Sequence, residues 1–335
     1  MGNAGAPAEG EKNDGFGLEG IRKITVAGAG TMGHSMAQRF AQYGYEVTLW
    51  NHRQPTLDRA REAIARDTQN LVDQGDLAAA DRDALLARIA YTTEDSAFEG
   101  CDLLVENIVE NLDAKLAFYR EASPLVPAGA IIATNTSGLS INRLATAVTG
   151  PERFLGMHWF NPPALIPLIE IIRNDATRDD VAQAVFDLSL AIGKKPALVQ
   201  RDVPGFAANR IQLAVLREAC DLVSRGVISV DGIDAVMKYG LGFRWAVLGP
   251  LETADFGGLD TFDHIAEYLV PDLCDSHDVP ALLHQHYEAG ELGVKTGRGF
   301  HDYSGNKATL ATSERDRKLL AVYHALYGEK DGASE

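Results

Sequence analysis

Apolar residues follow two alternating rhythms along this chain. From Ile21 onward, short β-branched runs alternate with stretches whose apolar positions recur every three or four residues. Lys23-Ile24-Thr25-Val26-Ala27 predicts a strand and leads directly into Gly28-Ala29-Gly30-Thr31-Met32-Gly33. Met36, Phe40 and Tyr43 then recur at helical spacing, and Glu46–Trp50 predicts a second strand flanked by Gly44 and the polar Asn51-His52-Arg53. Residues Pro55–Ile89 predict unusually polar helix, broken near Gly75. Leu103-Leu104-Val105, Ile131-Ile132-Ala133, Phe154–His158, Leu168–Ile172 and Pro196–Val199 complete the strand candidates, with helix over Leu112–Ala122. Such alternation predicts an α/β fold, a doubly wound and mostly parallel sheet with helices on both faces.

The rhythm changes at Arg201-Asp202-Val203-Pro204-Gly205. Beyond it Ile211, Ala214, Val215, Ala219, Leu222 and Val223 form a helical stripe, strand-like runs end, and Thr309–Tyr327 reads as a final helix. Three segments follow: a flexible leader over residues 1–20, a sheet domain over 21–200 and an all-α domain over 201–335. The 335 residues suffice for two cores, and a 46% hydrophobic content excludes a mostly disordered chain. No apolar run approaches the roughly 18 residues of a membrane span. A net charge of −16 argues against nucleic-acid partners, and three scattered cysteines make neither a disulfide framework nor a metal site. The whole is what a cytoplasmic protein with a small-molecule substrate would show.

Gly28, Gly30 and Gly33 form G-x-G-x-x-G directly after a strand and at the start of a helix, the setting of a Rossmann-type dinucleotide site. The first glycine permits the tight turn, the second a close approach to pyrophosphate, and the third close packing of helix on strand. Thr31 and Met32 lie on the same turn. At the end of the second strand, where a carboxylate would bond the ribose of NAD, stands Asn51, with Arg53 two residues on. Without that carboxylate, and with an arginine able to pair with a 2′-phosphate, the pattern leaves NAD and NADP both open.

Further motifs accumulate along the chain: Val105-Glu106-Asn107-Ile108-Val109-Glu110-Asn111, Asn135-Thr136-Ser137-Gly138, Met157-His158-Trp159-Phe160-Asn161-Pro162-Pro163, Asp202-Val203-Pro204-Gly205-Phe206 with Asn209-Arg210, and Lys295-Thr296-Gly297-Arg298-Gly299-Phe300. In order and spacing the chain, from about Ile21 to Tyr303, resembles the 3-hydroxyacyl-CoA dehydrogenase family. The resemblance implies hydride transfer between a nicotinamide cofactor and a 3-hydroxyacyl group, a place in fatty acid metabolism, a pocket at the domain cleft and a homodimer formed through the helical domain. Taking a secondary alcohol to a ketone requires a base, and His158, at the end of a predicted strand, supplies an imidazole. Glu170 lies 12 residues on within the apolar run Leu168-Ile169-Glu170-Ile171-Ile172, where a carboxylate is costly unless paired; the resemblance implies that it pairs with His158, orienting the ring and stabilising the imidazolium. Ser137 and Asn209 match family positions that contact the substrate oxygen, with Asn161 beside them. Glu110, Lys115 and Lys295 match positions at the nicotinamide ribose, and Asn135 falls within a cofactor motif. Outside the resemblance, Ser137 reads as a helix cap and Glu110, Lys115 and Lys295 as exposed charges.

Two departures bear on the substrate. Family members that handle CoA carry a serine and lysines on the helix after the second strand, but residues 65–76 here hold Asp67, Asp73 and Asp76 against a single cation, Arg66. A CoA phosphate would meet repulsion or neutrality there. Gly242-Phe243-Arg244-Trp245-Ala246-Val247-Leu248-Gly249-Pro250 resembles instead the branch containing L-gulonate 3-dehydrogenase (lambda-crystallin), and Arg244 is suited to clamp a free carboxylate. A related branch acts on a pyridine carboxylate. Three readings result: an NAD(P)-dependent 3-hydroxyacyl-CoA dehydrogenase, which leads narrowly; a dehydrogenase of a free hydroxy or aldehyde carboxylate; and a non-enzymatic, crystallin-like protein.

Overall fold

The computed structural model describes residues 15–328. Two compact units divide between Phe206 and Ala207. In the first, the elements run β1 (Lys23–Ala27), α1 (Thr31–Gln42), β2 (Glu46–Trp50), α2 (Gln54–Gln74), α3 (Ala79–Ala87), β3 (Ile89–Thr92), β4 (Leu103–Glu106), α4 (Leu112–Ala122), β5 (Ile131–Thr134), α5 (Ile141–Ala145), β6 (Phe154–Trp159), β7 (Leu168–Arg173), α6 (Asp179–Ala191) and β8 (Lys195–Val199). The eight strands form one sheet in the order β3-β2-β1-β4-β5-β6-β7-β8, parallel throughout except between β6 and β7. The order reverses between β1 and β4, and in such sheets ligands bind outside the carboxyl ends of the strands at that point.

The period of two is visible in how single strands divide between the sheet's two cores. On β4, Leu103 and Val105 enter the cluster built around Met36, Phe40 and Leu49, while Leu104 enters the one around Tyr119 and Phe154. On β5, Ile131 and Ala133 take the first side and Ile132 the second. Both faces are thus covered, as a parallel sheet requires.

One strand departs from the sequence reading. Residues 89–92 form β3, at the sheet edge and paired only with β2, where helix was expected to run to Ile89. Only Ile89 of its four residues is buried, so the strand lacks the apolar run that betrays its neighbours. The break near Gly75 is present: Gly75 takes φ +83° and caps α2. Of the expected leader, residues 1–14 lie outside the described residues. From Gly15 the chain is docked, with Phe16 and Leu18 packed on the first core and the Phe16 N–H donating to Asp180 Oδ2 at 3.0 Å.

The second unit comprises α7 (Ala208–Ser224), α8 (Val230–Val236), α9 (Gly242–Trp245), α10 (Pro250–Gly257), α11 (Leu259–Leu269), α12 (Ala281–Glu288) and α13 (Lys307–Tyr327). A π-helical turn, Met237–Leu241, joins α8 to α9. Among the described residues this unit holds no strand.

Candidate active site

The turn after β1 is shaped by its glycines. Gly28 sits at φ +110°, and a Cβ there would lie 2.5 Å from the Asn107 carbonyl oxygen. A Cβ on Gly33 would stand 1.8 Å from the Gly28 carbonyl oxygen, so α1 packs on the turn as only glycine allows. At Gly30, the N-cap of α1, a Cβ would meet nothing within 4 Å. Two glycines are therefore closed off by protein and the middle one faces open space at a helix N-terminus, which fits a pyrophosphate. Thr31 opens α1 and is exposed, while Met32 packs against the first core. Asn51 is buried at the end of β2, its Oδ1 accepting from the Ala29 N–H at 3.3 Å and its Nδ2 donating to the Arg53 carbonyl at 3.2 Å. The amide thus braces the glycine turn. Arg53 is exposed and makes no side-chain hydrogen bond or ion pair among the described residues.

At the ends of β4 and β5 lies a buried charge network that the sequence reading did not single out. Glu106 is fully buried and accepts four hydrogen bonds: from Lys115 Nζ at 2.5 Å, the Ile108 N–H at 2.7 Å, Tyr119 Oη at 2.9 Å and Thr134 Oγ1 at 2.7 Å. Its signal was a lone carboxylate closing the apolar run Leu103-Leu104-Val105, the same cost argument that marked Glu170. Burial and the Glu106 carboxylate push the Tyr119 phenol well above its ordinary range. Lys115, read outside the resemblance as an exposed charge, is only 1% exposed and also lies 3.4 Å from Glu110. Glu110 in turn accepts from Thr136 Oγ1 at 2.5 Å and the Ser137 N–H at 2.9 Å. Glu106, Lys115, Glu110 and the Ser137 loop thus form one chain of contacts. Ser137 is not the helix cap: Ser140 caps α5, accepting from the Arg143 N–H at 3.1 Å. Asn135 ties two strand ends together, its Oδ1 accepting from the Trp159 N–H and its Nδ2 donating to Asn107 Oδ1, both at 2.7 Å.

His158 and Glu170 face each other across the antiparallel β6–β7 pair. His158 Nδ1 is 2.9 Å from Glu170 Oε2, and both side chains are almost wholly buried. The carboxylate fixes Nδ1 as the protonated nitrogen and turns Nε2 into the basic one. The rings of Phe160 and Phe206 lie 4.3 and 5.7 Å from the imidazole between centroids, so the pair sits in an apolar wall. Asn161 follows on the β6–β7 loop, exposed, with a cis bond to Pro162.

That loop is pinned from behind. Buried Lys194 donates to the Pro163 and Ile166 carbonyls at 2.6 and 2.7 Å and lies 5.0 Å over the Trp159 ring. Burial, then the nearby Arg39, depress its ammonium to about 7. The unfolded chain holds this proton up to an ordinary lysine value, so between about pH 7 and 10.5 it binds more protons than the folded one. Stability from this residue accordingly rises with pH across that window. Melting curves of wild type and Lys194→Met from pH 6 to 10 should show the wild type gaining on the variant as pH rises; a constant difference would refute the assignment.

The remaining expected site residues belong to the second unit. Asn209 lies in the first turn of α7, half-buried. Arg244 is on α9 and exposed, and Lys295 is exposed in a turn closed by the Gly293 N–H donating to the Arg298 carbonyl at 2.7 Å.

Residues 23–203 match the sequence pattern of the 3-hydroxyacyl-CoA dehydrogenase NAD-binding domain, and residues 205–303 that of the C-terminal domain of the same family. The chain belongs to the 3-hydroxyacyl-CoA dehydrogenase family. It is therefore an NAD-dependent oxidoreductase. Among the family's members, a probable 3-hydroxybutyryl-CoA dehydrogenase of Deinococcus radiodurans is 40% identical over 84% of this chain and all of its own length. A 5-formyl-3-hydroxy-2-methylpyridine 4-carboxylate 5-dehydrogenase of Mesorhizobium japonicum is 36% identical over 92% of this chain and all of its own. A solved structure of a dehydrogenase of that second kind, described as an NAD+-dependent dismutase, superposes with a TM-score of 0.86 at 36% identity, covering 92% of this chain and 100% of the other. Among the described residues, no helix is long and apolar enough to cross a membrane.

Proposed function

We propose that this family member interconverts a 3-hydroxyacyl and a 3-oxoacyl group, with a CoA thioester as the carrier. The observation that carries the chemistry is the buried His158–Glu170 pair. Bound NAD supplies the hydride acceptor. His158 takes the hydroxyl proton at Nε2, and Glu170 holds the ring and offsets the imidazolium charge that results, while the carbinol carbon becomes a carbonyl. Ser137 and Asn209 steady the substrate oxygen as charge develops on it, with Asn161 beside the base. Glu110 and Lys295 serve the nicotinamide ribose, and Lys115, buried against Glu106, acts there through Glu110 at 3.4 Å. The match to 3-hydroxybutyryl-CoA dehydrogenases over nearly their whole length supports the thioester.

A second reading, oxidation of a free carboxylate substrate, is favoured by α2. Its single cation over residues 65–76, Arg66, is 3.3 Å from the Asp67 carboxylate, which leaves little positive charge for a CoA phosphate. In that case Arg244 clamps the carboxylate. Reduction of acetoacetyl-CoA with NADH separates the two. Turnover that weakens with added salt supports the thioester; no turnover, with NADH binding confirmed by fluorescence, transfers the assignment to a free acid.

We also propose that the second unit pairs two copies of the chain. Phe243, Leu251, Phe256 and Tyr268, on α9 to α11, are each 70% exposed or more, an unusual density of large apolar groups. Light scattering should give twice the 36.1 kDa chain mass; a monomer would refute the pairing.

A further inference from the structure

The amide of Asn107 poses a hydrogen-bonding problem with one solution. The Trp159 backbone N–H can only donate, so the Asn135 atom 2.7 Å away must be its oxygen. The Asn135 nitrogen then faces Asn107, 2.7 Å off, and can only donate, which makes that Asn107 atom the oxygen. The orientation of both amides is thereby forced, and Asn107 Nδ2 is left buried with no acceptor among the described residues. A buried N–H without a partner is costly, so its retention calls for an acceptor from outside the chain, which a bound ligand can supply. The indole N–H groups of Trp50 and Trp159 are likewise unpaired, but they lie within the two apolar cores.

Asn107 is placed for a ligand. It is the first residue beyond β4, its N–H donates to the Ala27 carbonyl at 2.6 Å, and its carbonyl lies against Gly28. It therefore adjoins the glycine turn at the reversal of strand order. In that order β4 and β5 separate the turn after β1 from His158 on β6, which is the interval a dinucleotide must cross to bring its reactive ring to the base. We propose that Asn107 is a cofactor-binding residue whose Nδ2–H donates to a hydroxyl oxygen of the nicotinamide-side ribose of NAD. The inference rests on the chain's NAD dependence.

The test compares dissociation constants for NADH and ADP, measured by fluorescence or calorimetry, in wild type, Asn107→Ala and Asn107→Asp. ADP carries the adenosine and both phosphates but lacks the nicotinamide ribose. Alanine removes both the donor and the acceptor that holds Asn135; aspartate keeps that acceptor and replaces the donor with a carboxylate oxygen, which can itself accept from a ribose hydroxyl. The expected result is a rise of about five- to tenfold in the ratio of the NADH to the ADP constant in Asn107→Ala, with the ratio in Asn107→Asp below that of alanine. A wild-type ratio in Asn107→Ala, or equal weakening of both ligands in that variant, would overturn the proposal. Failure of the wild type to bind NADH would instead strike at NAD dependence itself.

Discussion

Glutamine in place of His158 is expected to cut kcat by about a hundred- to ten-thousandfold, the range that a positioned general base contributes. NADH affinity should stay within about twofold, because none of the groups that form the glycine turn is altered. The His158 side chain is buried at the end of β6 and its Nδ1 is committed to Glu170, so no second nitrogen can take over the proton. Glutamine retains an amide N–H for Glu170, which keeps the carboxylate paired and limits collateral loss of stability. Steady-state turnover together with fluorescence titration of NADH checks both halves. A kcat within about tenfold of wild type would end the general-base assignment. Glu170→Gln should fall between the two, since it keeps an acceptor for Nδ1–H and loses only the charge that offsets the imidazolium.

The second large effect concerns stability. Replacing Glu106 by alanine should cost about 3–5 kcal/mol, because Lys115 is left buried with only Glu110 at 3.4 Å, and the hydroxyls of Tyr119 and Thr134 lose their acceptor. Urea unfolding would register it as a lower midpoint at unchanged slope. The double variant Glu106→Gln with Lys115→Met removes both charges, keeps an acceptor for the two hydroxyls, and should recover most of the loss. If the alanine variant lost less than about 1 kcal/mol, the network would have to be read as solvated rather than buried.

How far the sequence could reach is clear from these two clusters. The glycine turn, the order of most helices and strands, and a buried carboxylate in β7 were legible because each rests on local chemistry: backbone freedom at Gly28, β-branched runs, a charge in an apolar strand. The identity of Glu170's partner was legible only with the family resemblance, since nothing in a spacing of 12 residues dictates a hairpin register. Lys115 was misread without it because a lysine on a polar-looking helix is ordinarily solvated, and only the packing of α4 against β4 brings it to Glu106. β3 was missed because only Ile89 of its four residues is buried, so hydropathy carries little trace of its pairing. The orphaned donor of Asn107 depends on two neighbouring amides from other strands and has no sequence signature.

The sheet's single antiparallel pairing has an implication for how this chemistry can be moved. Because His158 and Glu170 meet through the β6–β7 ladder rather than through loop placement, the dyad is a property of one continuous cassette, residues 154–173. A chimera that transplants this cassette whole between related scaffolds should carry an assembled His–Glu pair with it. Exchange of β6 alone must still match a foreign ladder, and a slip of one residue would turn the carboxylate to the opposite side of the sheet.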